Sequence, residues 1–327
     1  MAKEYTNFEI NELFIKAQSG TLPKNFNKWE LADNNGWTIA HKAAKYGTLP
    51  KDFNQWDLAN EDGWSVAHWA THYGHLSENF NQWELANNCG WTVAHEAAKN
   101  GYLPKNFNQW KLADKDGLTV AHVVAKNGHL PEDFDQWELA DNNGRTVAHV
   151  AAQYGYLPKD FNQWGLANKN GWTVAHIVAE YGTLPKDFNN WELADKNGWT
   201  VAHLTAYSNS VGVEYFFTNV PKEYWSTKIQ ESIYINYTPI DFIAKKDDFD
   251  KIIYFAKEDK KNAIGIIENL NPLYFPEIFN EVARLAPEED LKRVLNKIMK
   301  KKGDKRKILK TVIAELIKEN SNDKFEL

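Results

Sequence analysis

The stretch Gly90–Asp114, GWTVAHEAAKNGYLPKNFNQWKLAD, decides the fold because it carries the start and end signals of a helix. Thr92 is a good N-cap, since its hydroxyl can accept from an unpaired backbone N–H of the first turn. The valine and alanines of 93–98 lie at helical spacing, and Gly101 follows where a left-handed residue ends a helix. Proline is tolerated at the first helical position, so a second, shorter helix is predicted from Pro104.

The same pattern recurs along the chain at a fixed interval of 27 residues. Each copy reads G-x-L-P-x-x-F-x-x-W-x-L-A-[ND]-x-x-G-W-T-V-A-H-x-A-A-x-x, with some variation. The glycines that open the copies are Gly20, Gly47, Gly74, Gly101, Gly128, Gly155 and Gly182. A fixed period of about 20 to 50 residues indicates a solenoid or a propeller. The helix signals favour a helical solenoid, in which neighbouring units bury faces that one unit cannot bury alone.

The unit resembles the ankyrin repeat through the pattern D-x-x-G-x-T-x-x-H-x-A-A-x-x-G-x-L, which Asp33, Thr38, His41 and the alanines 43–44 illustrate. The resemblance covers roughly residues 10–260. It implies an all-α, ankyrin-like helical solenoid that binds partner proteins through its concave face and finger turns. An ankyrin repeat is longer than this unit, and the missing residues come from the second helix and the following loop.

The chain divides into four predicted parts. They are an N-terminal capping half-repeat (1–19), seven 27-residue ankyrin-like repeats (20–207), a divergent ankyrin-like repeat (208–260) and a helical C-terminal region with a basic segment (261–327). In the capping half-repeat, Asn11 is predicted to take the place of the threonine. In the divergent repeat, Thr238 keeps its place while Asp241 replaces the histidine. Beyond it, the apolar spacing of YFPEIFNEVARLA, EEDLKRVLNKIMK and RKILKTVIAELIKEN predicts about three more helices.

Two residue types are repeated in a way that indicates a framework. Equivalent residues of packed helices lie about 9 Å apart, so repeated histidines form a ladder and not a metal-binding cage. The ankyrin resemblance implies that they tie helix starts to turns; they are His41, His68, His95, His122, His149, His176 and His203. One tryptophan per copy is invariant, as core packing demands. This second series is Trp29, Trp56, Trp83, Trp110, Trp137, Trp164 and Trp191. We expect no metal, no cofactor and no catalytic residue.

The best candidates for binding lie where the copies vary. The position before each threonine holds Trp37, Trp64, Trp91, Leu118, Arg145, Trp172 and Trp199. The resemblance places it on the finger turns, where aromatic rings would anchor a partner protein; the alternative is that the rings stack locally. Further candidates are the helix-end residues Tyr46, His72, Tyr73, Tyr154 and Tyr181. Trp69 is also a candidate, because other copies hold Lys42, Glu96, Val123 or Val150 at its position.

The charge distribution leaves a second interpretation open. The net charge is −6, with −7 in residues 1–207 and +1 in residues 208–327. The segment Lys292–Lys310 is strongly basic and could bind nucleic acid or an anionic surface, although such runs are more often solvated helix faces. An enzyme centred on 208–327 is disfavoured, because that region has no histidine and no cysteine.

The remaining features concern location. Cys89 is the single cysteine, which excludes an internal disulfide and suits a reducing compartment. No run of about 18 apolar residues occurs, so we expect no membrane span, and we expect a cytoplasmic monomer. The Asn- and Lys-rich composition with short W-x-L-A units is similar to ankyrin proteins of intracellular bacteria. That likeness favours a bacterial or viral effector or inhibitor delivered into a host cytosol.

Overall fold

A computed structural model describes residues 5–208 and 210–293, except 211, 226, 230–237, 246–248, 259, 271–275, 288, 290 and 292. These residues form α-helices, one turn of 3-10 helix at Lys222–Tyr224 and no β-sheet, which confirms the all-α class. The helices are α1 Asn7–Ser19, α2 Ile39–Tyr46, α3 Val66–His72, α4 Val93–Asn100, α5 Val120–Lys126, α6 Val147–Tyr154, α7 Val174–Tyr181, α8 Val201–Tyr207, α9 Val213–Asn219, α10 Pro239–Lys245, α11 Phe249–Glu258, α12 Lys260–Asn269 and α13 Pro276–Leu285.

The chain forms two compact units, Met1–Leu157 and Pro158–Leu327. In the first unit each helix from α1 to α5 packs against the next one along the chain. In the second unit α7 packs on α8, α8 on α10, and α11 on both α12 and α13. This nearest-neighbour packing is that of an ankyrin-like helical repeat array. The boundaries predicted at 19, 207 and 260 stay a prediction.

The repeated helices begin and end as the sequence predicts. Thr92 caps α4 by accepting from the N–H of His95, and the His95 side chain in turn accepts from the Thr92 N–H, which closes a capping box. At the other end Gly101 is left-handed and its N–H bonds back to carbonyls of the last turn. Val93 and Ala94 are fully buried, so the small apolar face of the helix is its packing face.

The second helix predicted from Pro104 is wrong, because the chain forms two successive turns there. The N–H of Phe107 donates to the carbonyl of Pro104 (3.0 Å), and the N–H of Leu112 donates to the carbonyl of Gln109 (3.2 Å). So short a segment gains few helical hydrogen bonds against the cost of nucleation, and its asparagines disfavour a helix interior.

Aromatic rings fill the space that a second helix would occupy. Phe107 is buried and meets Trp110 edge to face at 5.1 Å, and Trp110 meets Phe134 of the next copy at 5.8 Å. The same alternation of phenylalanine and tryptophan runs from Phe26 to Trp137 in the first unit. The prediction that the second tryptophan series is part of the framework is therefore confirmed.

The finger turns stack through backbone contacts. Within one copy, Ala113 and Thr119 form an isolated bridge, and Gly117 between them has a φ of 76°. A Cβ on Gly117 would come 2.7 Å from the backbone nitrogen of Asn142 in the next copy. That nitrogen donates to the carbonyl of Asp116 (2.9 Å), so this turn requires glycine for both its conformation and its close approach.

The N-terminal helix is longer than expected. α1 is capped by Thr6, whose hydroxyl accepts from the Glu9 N–H while the Glu9 carboxylate accepts from Thr6. Asn11 therefore lies inside the helix, and its predicted role as the threonine equivalent is wrong. The helix begins after Thr6 because Thr6 and Glu9 form a complete capping box at an earlier position.

In the second unit, α10 and α11 lie within the range predicted as a divergent repeat. Asp241 is buried and accepts from both the N–H (3.0 Å) and the hydroxyl (2.9 Å) of Thr238, so it takes over the histidine's capping role. α13 lies within the predicted helical segment, whereas α12 was not predicted. The two helical segments predicted beyond it lie outside the described residues apart from Glu289, Leu291 and Arg293, and of the segment Lys292–Lys310 only Arg293 is described. None of the described helices has the length and apolar composition needed to cross a membrane.

Candidate functional site

The repeated histidines hold consecutive repeats together. Nδ1 of His95 accepts from the N–H (3.1 Å) and the hydroxyl (2.7 Å) of Thr92, and Nε2 lies 2.8 Å from the carbonyl oxygen of Leu118. Because a backbone N–H can only donate, Nδ1 carries the lone pair and Nε2 carries the proton. The imidazole is therefore neutral and bridges its own helix cap to the residue 23 positions ahead.

Burial keeps these imidazoles neutral. It lowers the pKa of His68 to about 4, although the hydrogen bond to the carbonyl of Trp91 acts in the opposite direction. Burial likewise lowers the pKa of the equivalents His41, His95, His122 and His176. Both ring nitrogens are engaged in the hydrogen bonds of the framework, so these histidines are poorly placed for proton transfer.

The tryptophans before the threonines are half-buried, and each lies against the imidazole of its own copy. Two of them also bond to acids: the indole N–H of Trp91 donates to Glu96 (2.9 Å), and that of Trp172 donates to Asp195 (3.1 Å). In the second unit, Trp199 stacks on Phe242 at 5.1 Å. Part of this row therefore packs locally, as the alternative interpretation proposed.

Five predicted site residues come together on α2, α3 and the turn before α2, and we name them the α2–α3 aromatic cluster: Trp37, Tyr46, Trp69, His72 and Tyr73. Trp37 meets Trp69 edge to face at 4.6 Å, and Trp69 stacks on Tyr73 at 5.5 Å. The His72 ring lies 4.8 Å from that of Tyr73. Tyr46 and His72 are exposed and the other rings are half-buried, so the cluster is a partly exposed aromatic surface.

Two lysines extend the cluster. The ammonium of Lys45 lies 5.5 Å from the Tyr73 ring and 5.7 Å from the Tyr46 ring, and that of Lys42 lies 5.7 Å from the Tyr46 ring. These distances allow cation–π attraction, which orients the two cations over the aromatic surface. Within the described part of the chain neither ammonium forms a salt bridge.

Glu96 anchors the far edge of the cluster. Its side chain is 1% exposed and accepts from Nδ1 of His72 (2.8 Å), from the indole of Trp91 and from the amide of Asn100 (3.0 Å). Burial raises the pKa of Glu96, but these hydrogen bonds and the nearby Lys99 outweigh it and hold the pKa below its usual value. A charged Glu96 thus fixes His72 and Trp91 in place.

The other predicted residues lie apart from the cluster. Trp64 covers His68 (5.3 Å), Leu118 packs in the hydrophobic core between α4 and α5, and the Arg145 guanidinium donates to Gln153. Tyr154 is exposed beneath Lys126, and Tyr181 is exposed in the second unit. The described residues contain no group of three or more acidic, histidine or cysteine side chains that could hold a metal ion.

Phe14 and Lys42 also face this region, and the sequence interpretation missed both. Phe14 in α1 lines a pocket next to Trp37 and Trp69. Its position is 27 residues before His41, so it occupies the histidine position of the capping half-repeat. A phenylalanine at the histidine position is the sequence feature that could have identified Phe14 as a candidate. Lys42 stands one period before Trp69, at the position that varies most in character between copies.

Comparison with known proteins gives only a distant likeness. No protein-family model matches the sequence, and no curated protein matches it. Among solved structures, the chain is similar to the ankyrin repeat domain of Bcl-3, a member of the IkappaB protein family, with a TM-score of 0.36 and 13% identity. The alignment covers 63% of this chain and 96% of that one. The ankyrin-like character of the repeats therefore rests on their own caps, histidine bonds and stacked turns.

Proposed function

We propose that this chain is a non-catalytic scaffold that binds partner proteins through the α2–α3 aromatic cluster and the finger turns beside it. The observation that carries the proposal is the cluster itself, in which Trp69 joins Trp37 to Tyr73. Lys42 lies over the ring of Tyr46, and Lys45 lies over the rings of both Tyr46 and Tyr73. Aromatic side chains dominate the binding energy of protein interfaces, and rings already held by their neighbours lose little conformational entropy on binding.

A scaffold agrees better with the repeated histidines than an enzyme does. Histidine is the most common general base of enzymes, but here the repeated histidines are buried and both ring nitrogens form hydrogen bonds within the framework, as His95 illustrates. We propose that the protein acts as a monomer in the cytoplasm, or in a host cytosol as a bacterial or viral effector. The composition and the single Cys89 support that location. Binding of nucleic acid or an anionic surface through Lys292–Lys310 stays the alternative prediction.

Site-specific photo-crosslinking tests the proposal. A benzophenone amino acid replaces Tyr46 in the cluster, and in a matched control it replaces Tyr156, which is also exposed but lies against Gly128, after α5. In extract from a candidate host cell, the Tyr46 probe should crosslink a defined set of proteins that the Tyr156 probe does not. Identical crosslinked sets from both positions would refute the cluster as the recognition surface.

A further inference from the structure

A pocket of about 290 Å³ opens beside the cluster, between α1, α2 and α3. Its walls are aromatic: Phe14 comes from α1, Trp37 from the finger turn and Trp69 from α3. Lys42 and Lys45 also line it. A space of this size is large enough for an apolar side chain, and it lies at the lower end of the volumes of small-molecule pockets.

One link of the histidine ladder is replaced at this pocket. His41 reaches the carbonyl of Trp64 (2.8 Å), and His68 reaches the carbonyl of Trp91 (2.9 Å), each 23 residues ahead. Phe14 stands in the equivalent place, and the residue 23 positions ahead of it is Trp37. A phenyl ring has no N–H and cannot donate to that carbonyl. Where the other copies are bridged by an imidazole, this junction is lined by apolar rings.

Trp69 brings an unsatisfied hydrogen-bond donor to the same place. Its indole nitrogen is buried and has no acceptor among the described residues, whereas the indoles of Trp91 and Trp172 each bond to a carboxylate. Burying an N–H without an acceptor costs free energy. A ligand oxygen in the pocket would recover that free energy if the Trp69 ring turned its nitrogen toward the pocket.

The charges at the pocket favour an anionic partner. Lys42 and Lys45 face a single acid, Asp33, among the lining residues. One oxygen of Asp33 accepts the backbone N–H groups of Asn35 (2.9 Å) and Trp37 (3.0 Å), which holds this carboxylate in its turn. The two lysines outnumber this acid, so the edge of the apolar pocket carries a net positive charge that attracts carboxylates.

We propose that this pocket binds a segment of a partner protein in which one apolar side chain is flanked by acidic residues. The apolar side chain fills the space between Phe14, Trp37 and Trp69. The flanking carboxylates lie against Lys42 and Lys45, and an oxygen of the segment accepts from the Trp69 indole. This inference rests on the proposed function and gives the chemical class of the partner.

Binding of short labelled peptides tests the proposal by fluorescence anisotropy. The probe peptide carries one leucine between aspartates; one control peptide carries leucine between lysines, and the other carries serine between aspartates. Trp69→Val is the main variant, and it should fold because valine occupies the equivalent position in α5 and α6 as Val123 and Val150. Lys45→Glu reverses one charge at the pocket. Its matched control is Lys126→Glu, which makes the same change at the same register of α5.

The wild-type chain should bind the leucine–aspartate peptide and neither control peptide. Trp69→Val and Lys45→Glu should each weaken that binding by at least about tenfold, and Lys126→Glu by less than about twofold. In nitrogen–proton NMR spectra, the indole resonance absent from Trp69→Val should be the one that shifts when the peptide is added. Added salt should weaken binding.

Three results would overturn the proposal. One is equal binding of the leucine–lysine peptide, and another is unchanged affinity in Trp69→Val. The third is a dimer of this chain, seen by sedimentation, that Trp69→Val dissociates, because the pocket would then belong to a second copy. Crosslinking from Tyr46 without any peptide binding would reject this inference and leave the proposed function standing.

Discussion

Acidification should destabilise the first unit through His68. Burial lowers the pKa of this imidazole from 6.5 to about 4 in the folded chain. Between those values the unfolded chain holds a proton on His68 that the folded chain excludes, so protons favour unfolding. The stabilisation is complete above about pH 6.5, falls as the pH drops toward about 4 and is level below that.

The size of the effect follows from the shift. One pKa unit corresponds to about 1.4 kcal/mol, so His68 alone should reduce the free energy of unfolding by about 3 kcal/mol across this interval. Burial lowers the pKa of His41, His95 and His122 in the same unit, so their contributions have the same sign. The total loss should therefore exceed that of His68.

Urea denaturation followed by far-ultraviolet circular dichroism, repeated from about pH 7 to about pH 4, measures this dependence. His68→Asn provides the comparison, because its amide oxygen can accept from Ser65 but cannot titrate in this range. The variant should be less stable at neutral pH, and its deficit relative to wild type should shrink by about 3 kcal/mol at acid pH. A deficit that stays constant with pH would refute the assignment of His68 as buried and neutral.

Three further predictions concern the framework and can be checked by urea denaturation. Glu96→Gln should lower the free energy of unfolding by about 1–3 kcal/mol, because a neutral amide cannot accept as strongly from His72, Trp91 and Asn100 as a buried carboxylate does. No loss of stability would exclude a charged Glu96. Gly90→Ala and Gly101→Ala each place an alanine at a positive φ, which strains the backbone. Only at Gly90 would the added Cβ also come within 2.8 Å of a backbone nitrogen of the next copy. Gly90→Ala should therefore lower the free energy of unfolding more than Gly101→Ala does. Trp110→Leu should lower the free energy of unfolding by about 2–4 kcal/mol, whereas Tyr102→Leu, at an exposed position, should lower it by less than about 0.5 kcal/mol. Equal losses in the two variants would show that the aromatic series does not stabilise the fold by packing.

The repeated elements were predictable because each one has a local cause. Thr92 and Gly101 set the ends of α4 through their own backbone and side-chain bonds. The bridging role of His95 followed from the ankyrin resemblance, and the structure confirms it. The second helix was predicted wrongly because a permissive proline is only a weak signal, and Asn106 and Asn108 favoured turns.

The candidate site was predictable only in part. Trp69 was identified because it breaks the pattern of its position, which sequence alone displays. Its contacts were not predictable, because they depend on side-chain rotamers and on how close α2 comes to α3. The missed Phe14 shows the same limit: its register marks the missing histidine, but only packing shows that the gap becomes a pocket.

The hydrogen bonds between histidines and the carbonyls of the next copy limit which insertions and deletions the chain can accept. Since His41 and His68 each bond to the carbonyl 23 residues ahead, deleting or duplicating one whole 27-residue period inside a unit leaves every remaining bond with a partner in register. An insertion or deletion of several residues between a histidine and its carbonyl would break a buried bond, although His203 reaches the carbonyl of Thr227 across 24 residues. The array can therefore gain or lose copies by recombination between periods of equal length, while the junction of Phe14 with Trp37 occurs once and stays at the first repeat.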